Sequence, residues 1–219
     1  MVYLSLVSIA IISYLLGSLN FGVILSNSLK HDDVRNHGSG NAGTTNMLRS
    51  YGKKYAVLTI MGDMLKVGVA IFIAFVIVRY TPVTLNLSND SLSSTDKNML
   101  LKSFAGFFCV LGHIFPCFFK FKGGKGVATA GGMVFIVDWR IALILLAVFA
   151  IILLLTKYVS LGSIIMALLY PVFIFIFHKD IILTAIALVF TVVVVTAHRE
   201  NIRKLINHTE RKITDKKSD

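Results

Sequence analysis

The chain alternates long apolar runs with short charged or turn-forming breaks, and the runs set the first expectation. They cover residues 2–25, 55–78, 103–119, 126–137, 141–156, 161–177 and 181–197. Each is read as a helix long or nearly long enough to cross a bilayer, the shorter ones needing tilt or local thinning. The run at 126–137 is the extreme case, reaching about 18 Å at 1.5 Å per residue against a hydrocarbon slab of about 30 Å. The first run lacks the positively charged front of a secretory signal and meets no small-residue cleavage site, so it is expected to remain as a helix.

Composition agrees with the pattern. In 219 residues, 56% are hydrophobic and mean hydropathy is +0.78, more apolar side chain than one soluble core of this size buries. Charge fixes the crossing number and direction. With seven crossings and the N-terminus outside, 16 of the 22 Lys and Arg fall on the inner side, as the positive-inside tendency requires. Omitting the fourth crossing would expel the basic tail. The expected fold is therefore all-α: a polytopic bundle of seven transmembrane helices in one domain over 1–219, with the C-terminus cytoplasmic. Residues 79–102 form an extracytoplasmic loop without chemistry, and 207–219 a basic cytoplasmic tail, read as a frayed end near anionic headgroups. Cys109 and Cys117 stand about 12 Å apart on a helix, which excludes a disulfide or metal pair. No metal, cofactor, nucleic-acid partner or obligate protein partner is expected.

Polar chemistry gathers in three inner blocks. The first is Gly38-Ser39-Gly40-Asn41-Ala42-Gly43-Thr44-Thr45-Asn46-Met47-Leu48-Arg49. Its glycines permit positive φ and let N–H groups converge on an anion, Ser39, Thr45 and Asn46 add neutral donors, and Arg49 can hold two phosphate oxygens through its planar fork. Gly38 to Gly43 also fits the dinucleotide fingerprint, with Asp63 at a fitting distance, but no strand precedes it and Asp63 lies in an apolar run. The second block is Lys120-Phe121-Lys122-Gly123-Gly124-Lys125-Gly126-Val127-Ala128-Thr129, where glycines and Lys125 abut a helix start whose dipole favours phosphate. It departs from the nucleotide P-loop in glycine spacing and in lacking Ser or Thr after the lysine. Lys120 and Lys122 are read as positive-inside anchors. The third is His198-Arg199-Glu200-Asn201, in which His198 and Asn201 share a helical side and the histidine can orient an anion or move a proton.

Beside these, Ser160 is expected to cap a helix and Ser163 to cap it or touch a ligand. Asp63 and Lys66, one turn apart in an apolar run, are expected to pair inside the bundle, and His113 to be a hydrogen-bonded packing residue.

These blocks, GSGNAGTTNMLR at 38–49, KGGKGVAT at 122–129 behind Gly112-His113 and Phe115-Pro116, and His198 to Ile202, resemble those of the acyl-phosphate-dependent glycerol-3-phosphate acyltransferases of bacterial membranes, the PlsY family. The likeness covers nearly the whole chain, the outer loop least. The family usually carries Ala where this chain has Thr44, a change that adds one hydroxyl.

The resemblance implies a multi-pass enzyme of the bacterial cytoplasmic (inner) membrane with its active site at the cytoplasmic face. It moves an acyl group from acyl phosphate to the sn-1 hydroxyl of glycerol 3-phosphate, releasing lysophosphatidic acid and phosphate, the first step of phospholipid synthesis. Membrane lipid is its surrounding and its product class. On this reading Ser39, Gly40, Arg49 and Lys125 hold phosphate oxygens, and Gly123, Gly124, Gly126 and Thr129 complete that loop. Asn41, Thr45, Asn46 and Ser163 orient glycerol phosphate, while His198 and Asn201 order the reacting groups. The hydroxyl proton goes either to His198 or to a substrate phosphate oxygen, the latter favoured because no carboxylate in the motif orients the histidine. Ser39 as an acyl-enzyme nucleophile lacks a neighbouring base. No histidine is followed by Asp five positions on, which disfavours the acyltransferases built on that pair. The competing reading is an organic-phosphate transporter, which would need polar residues deep in several helices; a membrane scaffold would give the glycine loops no purpose.

Overall fold

The computed structural model describes residues 2–81 and 94–215, so half of the outer loop expected at 79–102 lies outside the described residues, while Arg79–Tyr80 belong to a helix and 94–102 form the start of another rather than a loop. Among the described residues there is no strand. Helix α1 (Val2–Gly17) and α2 (Phe21–Lys30) lead to an amphipathic surface helix, α3 (Thr44–Tyr51). There follow α4 (Lys53–Tyr80), α5 (Ser94–Ile114), α6 (Val127–Val137), α7 (Trp139–Thr156), α8 (Val159–His178), α9 (Ile181–Ala197) and α10 (Arg199–Ile206).

Five stretches are long and apolar enough to cross a membrane: Tyr3–Lys30, Lys53–Tyr80, Lys97–Phe119, Trp139–Thr156 and Val159–His178. α9 and α10 together, bent by 60° at His198, make a sixth if the pair is one broken span. α6, with 11 residues, is shorter than all of these. Apolar side chains, among them Val67, Ala70, Ala105, Val110, Met133 and Ile141, fill the centre. Phe72, Leu155 and Ile181 face outward, with 67%, 79% and 79% of their surface open, an apolar exterior that hydrocarbon covers and water would not.

The first apolar run is not one straight helix. It breaks at 18–20, which leaves the Leu19 carbonyl without an intrahelical partner, and the Lys66 ammonium donates to it at 2.9 Å. The brevity of α6 has a geometric cause. Gly132 packs on Met64 and Val67, and Gly68 faces Ile136, so α6 runs parallel to α4 with a fixed offset. Its start therefore lies opposite Ile60, about 10 Å into α4 from Lys53. The connection from α5 dives into the bundle before α6 begins, and a short helix suffices for what remains.

Candidate functional site

The segment between α2 and α3 folds back on the bundle. Val23, Val34, Ala42 and Met47 make a small core beneath it. Asn46, at the start of α3 and 2% exposed, is its hub. Its amide NH2 faces the carbonyls of Val34, His37 and Asn41, each at 2.9 Å, and its Oδ1 accepts from the Ser39 N–H at 3.1 Å. Gly38 and Gly40 take the positive φ values expected, 58° and 68°. A residue not singled out in the sequence ties this loop to the next one: Arg35, held by Asp33 at 2.6 Å, donates to the carbonyls of Phe119 and Lys122 at 3.1 and 3.0 Å.

That second loop is pressed against α5. The Gly124 N–H donates to the His113 carbonyl at 3.2 Å, and a Cβ on Gly124 would collide with the imidazole Nε2 of His113. Gly126 then turns the chain into α6 at φ 79°, a conformation L side chains rarely adopt. The first N–H groups of α6 are unpaired within the helix, and its first residues, Val127 and Ala128, border the same space as Lys125.

The third wall is the bend between α9 and α10. His198, 2% exposed, donates its Nδ1–H to the Val194 carbonyl at 2.8 Å; a carbonyl only accepts, so Nε2 keeps its lone pair. Asn201 donates from Nδ2 to Glu210 at 2.8 Å, which assigns its amide and leaves its buried Oδ1 as an unpartnered acceptor.

Together these walls enclose a cavity of about 690 Å³. Ser39, Gly40, Asn41, Thr45, Asn46, Arg49, Lys125, Gly126, Ser163, His198 and Asn201 all line it. Gly123, Gly124 and Thr129 do not: the two glycines pack behind the loop on His113 and Ile114, and Thr129 is wholly buried in α6. Asn46 lines the cavity but its amide groups all serve the loop itself. Ser163 donates to the Val159 carbonyl at 2.9 Å.

One end of the cavity is polar. The other is lined by Val134, Ala142, Leu145, Met166 and the edge-to-face pair Tyr170 and Phe190. Ser163 and Tyr170 are seven residues apart on α8, so the apolar part extends about 10 Å from the polar mouth.

Electrostatically the mouth is cationic. Burial depresses the Lys125 ammonium below the ordinary lysine range, with Glu210 pulling the other way. Arg49 is half-buried; its Nη2 donates to the carbonyls of Arg211 and Lys212 at 3.2 and 3.0 Å, and its Nε is buried without a partner. Among the described residues no group of three His, Cys, Asp or Glu stands together to hold a metal ion.

The structure corrects two expectations from the sequence. The tail is docked as far as Ile213 rather than frayed: Glu210 Oε1 accepts from Ser160 and Asn201 at 2.7 and 2.8 Å, and the Ile213 N–H donates to the Lys157 carbonyl at 2.9 Å. Ser160 consequently holds the tail rather than capping α8, whose N-cap is Tyr158. Thr209, Glu210 and Arg211 line the cavity, as do Lys204, Asp63 and His113. Asp63 and Lys66 form the expected internal pair at 2.8 Å.

Similarity to known proteins runs the length of the chain. Residues 7–208 match the family described as Glycerol-3-phosphate acyltransferase. A glycerol-3-phosphate acyltransferase of Bacillus subtilis (strain 168) is 39% identical over 203 residues, 93% of this chain and 95% of the relative. One from Clostridioides difficile (strain 630) is 38% identical over 214 residues, 97% of this chain and 98% of the relative. A crystal structure of PlsY, an integral membrane glycerol 3-phosphate acyltransferase in its glycerol 3-phosphate form, superposes with a TM-score of 0.79 at 39% identity, covering 95% of each chain. The lysophosphatidic acid form of PlsY gives 0.77 at 38%.

Proposed function

The chain belongs to the glycerol-3-phosphate acyltransferase family of multi-pass bacterial membrane proteins, and from that premise we propose that its cavity holds acyl phosphate and glycerol 3-phosphate together and transfers the acyl group between them. The enzyme is an acyltransferase that acylates glycerol 3-phosphate. The choice of acyl phosphate as donor, the sn-1 position and the residue roles are our reading of the site. The observation that carries it is the single cavity in which Arg49, Lys125 and His198, from three distant parts of the chain, face one polar mouth continuous with an apolar interior.

Acyl phosphate is a mixed anhydride, and its phosphate is already a good leaving group. What the protein must add is placement and charge stabilisation. Arg49, Lys125, Ser39 and the N–H groups around Gly40 and Gly126 hold phosphate oxygens, and the fatty chain follows Val134, Leu145 and Met166 toward Tyr170 and Phe190. Asn41, Thr45 and Ser163 edge the glycerol. The sn-1 hydroxyl attacks the acyl carbon, the bond from that carbon to the phosphate oxygen breaks, and orthophosphate leaves.

His198 Nε2 and Asn201 Oδ1 are both fixed as acceptors by their other bonds, so they orient substrate hydroxyls. The proton itself passes to a phosphate oxygen, because a backbone carbonyl, that of Val194, rather than a carboxylate holds the His198 ring. Seven crossings, with α6 as the fourth, a cytoplasmic mouth and one domain over 1–219 are part of the same proposal; the basic residues on the mouth-side loops support the orientation. No observation favours a transporter, since the charges inside α4, Asp63 and Lys66, neutralise each other.

The test is product identification with purified protein, labelled glycerol 3-phosphate, and acyl phosphate beside acyl-CoA as competing donors. Lysophosphatidic acid and orthophosphate formed from acyl phosphate alone are expected. Product drawn from acyl-CoA at an equal or higher rate refutes the donor assignment.

A further inference from the structure

The second loop rests on a buried charged network that the reaction as described does not use. Lys66 Nζ stands 2.9 Å from the Leu19 carbonyl, 2.8 Å from Asp63 Oδ1 and 2.8 Å from His113 Nδ1. All three side chains are at least 96% buried, and Asp63 and His113 line the cavity. An ammonium has only donors, so at 2.8 Å His113 Nδ1 must present its lone pair. The 3.4 Å separation from Asp63 is too long to compete for that position. The proton of the neutral ring therefore sits on Nε2. Among the described residues the ring's hydrogen bonds run through Nδ1 alone, and its Nε2 edge abuts Gly124, the neighbour of Lys125.

Resting on the function proposed above, we propose that His113 is a phosphate-binding residue. Its Nε2–H, aimed past Gly124 by the Lys66–Asp63 pair, donates to a phosphate oxygen held at Lys125. This accounts for the pair of glycines at 123–124. A side chain at Gly124 would cover Nε2, and one at Gly123 would meet the His113 carbonyl. The buried charges acquire a role as well, since Lys66 sets the tautomer and Asp63 is its paired counter-charge inside the bundle. The phosphate is that of the acyl donor or of glycerol 3-phosphate, and separate KM values distinguish the two.

Two variants separate a donor from a packing role. H113N retains an acceptor near Nδ1 for Lys66 and loses the far donor, whereas the longer amide of H113Q places an N–H close to the position of Nε2. Each is purified in detergent, its Tm measured, and KM determined for both substrates. H113N is expected to raise KM for one phosphate substrate at least tenfold with a wild-type Tm, and H113Q to recover at least a third of that loss on a logarithmic scale. H113N kinetics within threefold of wild type, or equal losses in both variants, overturn the proposal. If H113N does not fold, H113Q decides: KM raised less than threefold supports the donor, and a larger rise at a wild-type Tm overturns it. Absence of wild-type turnover with acyl phosphate would instead sink the functional reading beneath it.

Discussion

Replacing Glu210 with Ala tests whether the docked tail completes the site. Its carboxylate accepts from Ser160 at 2.7 Å and from Asn201 at 2.8 Å. A hydrogen bond to a charged group contributes about 1.5–3 kcal/mol. Glu210 is only partly buried, so the lower end applies to each bond, giving about 3 kcal/mol for docking. At about 1.4 kcal/mol per factor of ten, the ratio of released to docked tail rises on the order of a hundredfold. Glu210 takes no part in the apolar core of the bundle, so the bundle itself stays folded when the tail is released. Limited trypsin digestion reads the change, because both Arg211 and Lys212 are engaged through their carbonyls when docked. Cleavage after them is expected to accelerate at least tenfold, and KM for glycerol 3-phosphate to rise as Asn201 loses the group that aims it. Glu210→Gln, which keeps one acceptor, falls between. Unchanged cleavage together with unchanged kinetics would refute the reasoning.

Other outcomes follow from the same geometry. Because burial lowers the Lys125 pKa, the ammonium is lost at a lower pH than in a free lysine, so turnover should decline on the alkaline side below the ordinary lysine range. The linked stability has the opposite sign: a depressed folded pKa makes Lys125's contribution largest above the unfolded value, so the decline is not unfolding. Lys125→Arg, which stays charged, should move the alkaline limb upward at reduced kcat, and an unmoved limb refutes the assignment. Gly124→Ala forces a methyl into the His113 ring, an overpacking of about 1–3 kcal/mol, and should raise KM for a phosphate substrate while lowering Tm by several degrees; wild-type KM and Tm would show that the loop yields freely.

How far the sequence discloses this site depends on the kind of signal. Periodic apolar runs and basic breaks locate the helices, because lipid exposure acts on every residue of a span. The glycine motifs locate the loops, because positive φ restricts residue choice, as at Gly40 and Gly126. The break at 18–20 is invisible in the sequence, since it is stabilised by Lys66, 47 positions away. Arg35 and Glu210 escape for the same reason: their partners, Phe119 and Lys122 for one and Ser160 for the other, are distant in sequence. A basic, polar tail carries no local mark of being docked. Thr129 and the glycines at 123–124 sit in the motif and so read as lining, but adjacency along a chain does not say which side of a loop faces the cavity.

The depth at which α6 starts has a further effect. On the proposed function, a donor phosphate bound at the start of α6 would sit about 10 Å along α4 from Lys53, where the surrounding helices would keep bulk solvent from the activated anhydride while it awaits its acceptor. Futile hydrolysis of an energy-rich fatty donor would then be limited by location rather than by a moving lid, and orthophosphate release in the absence of glycerol 3-phosphate measures how well the shelter works.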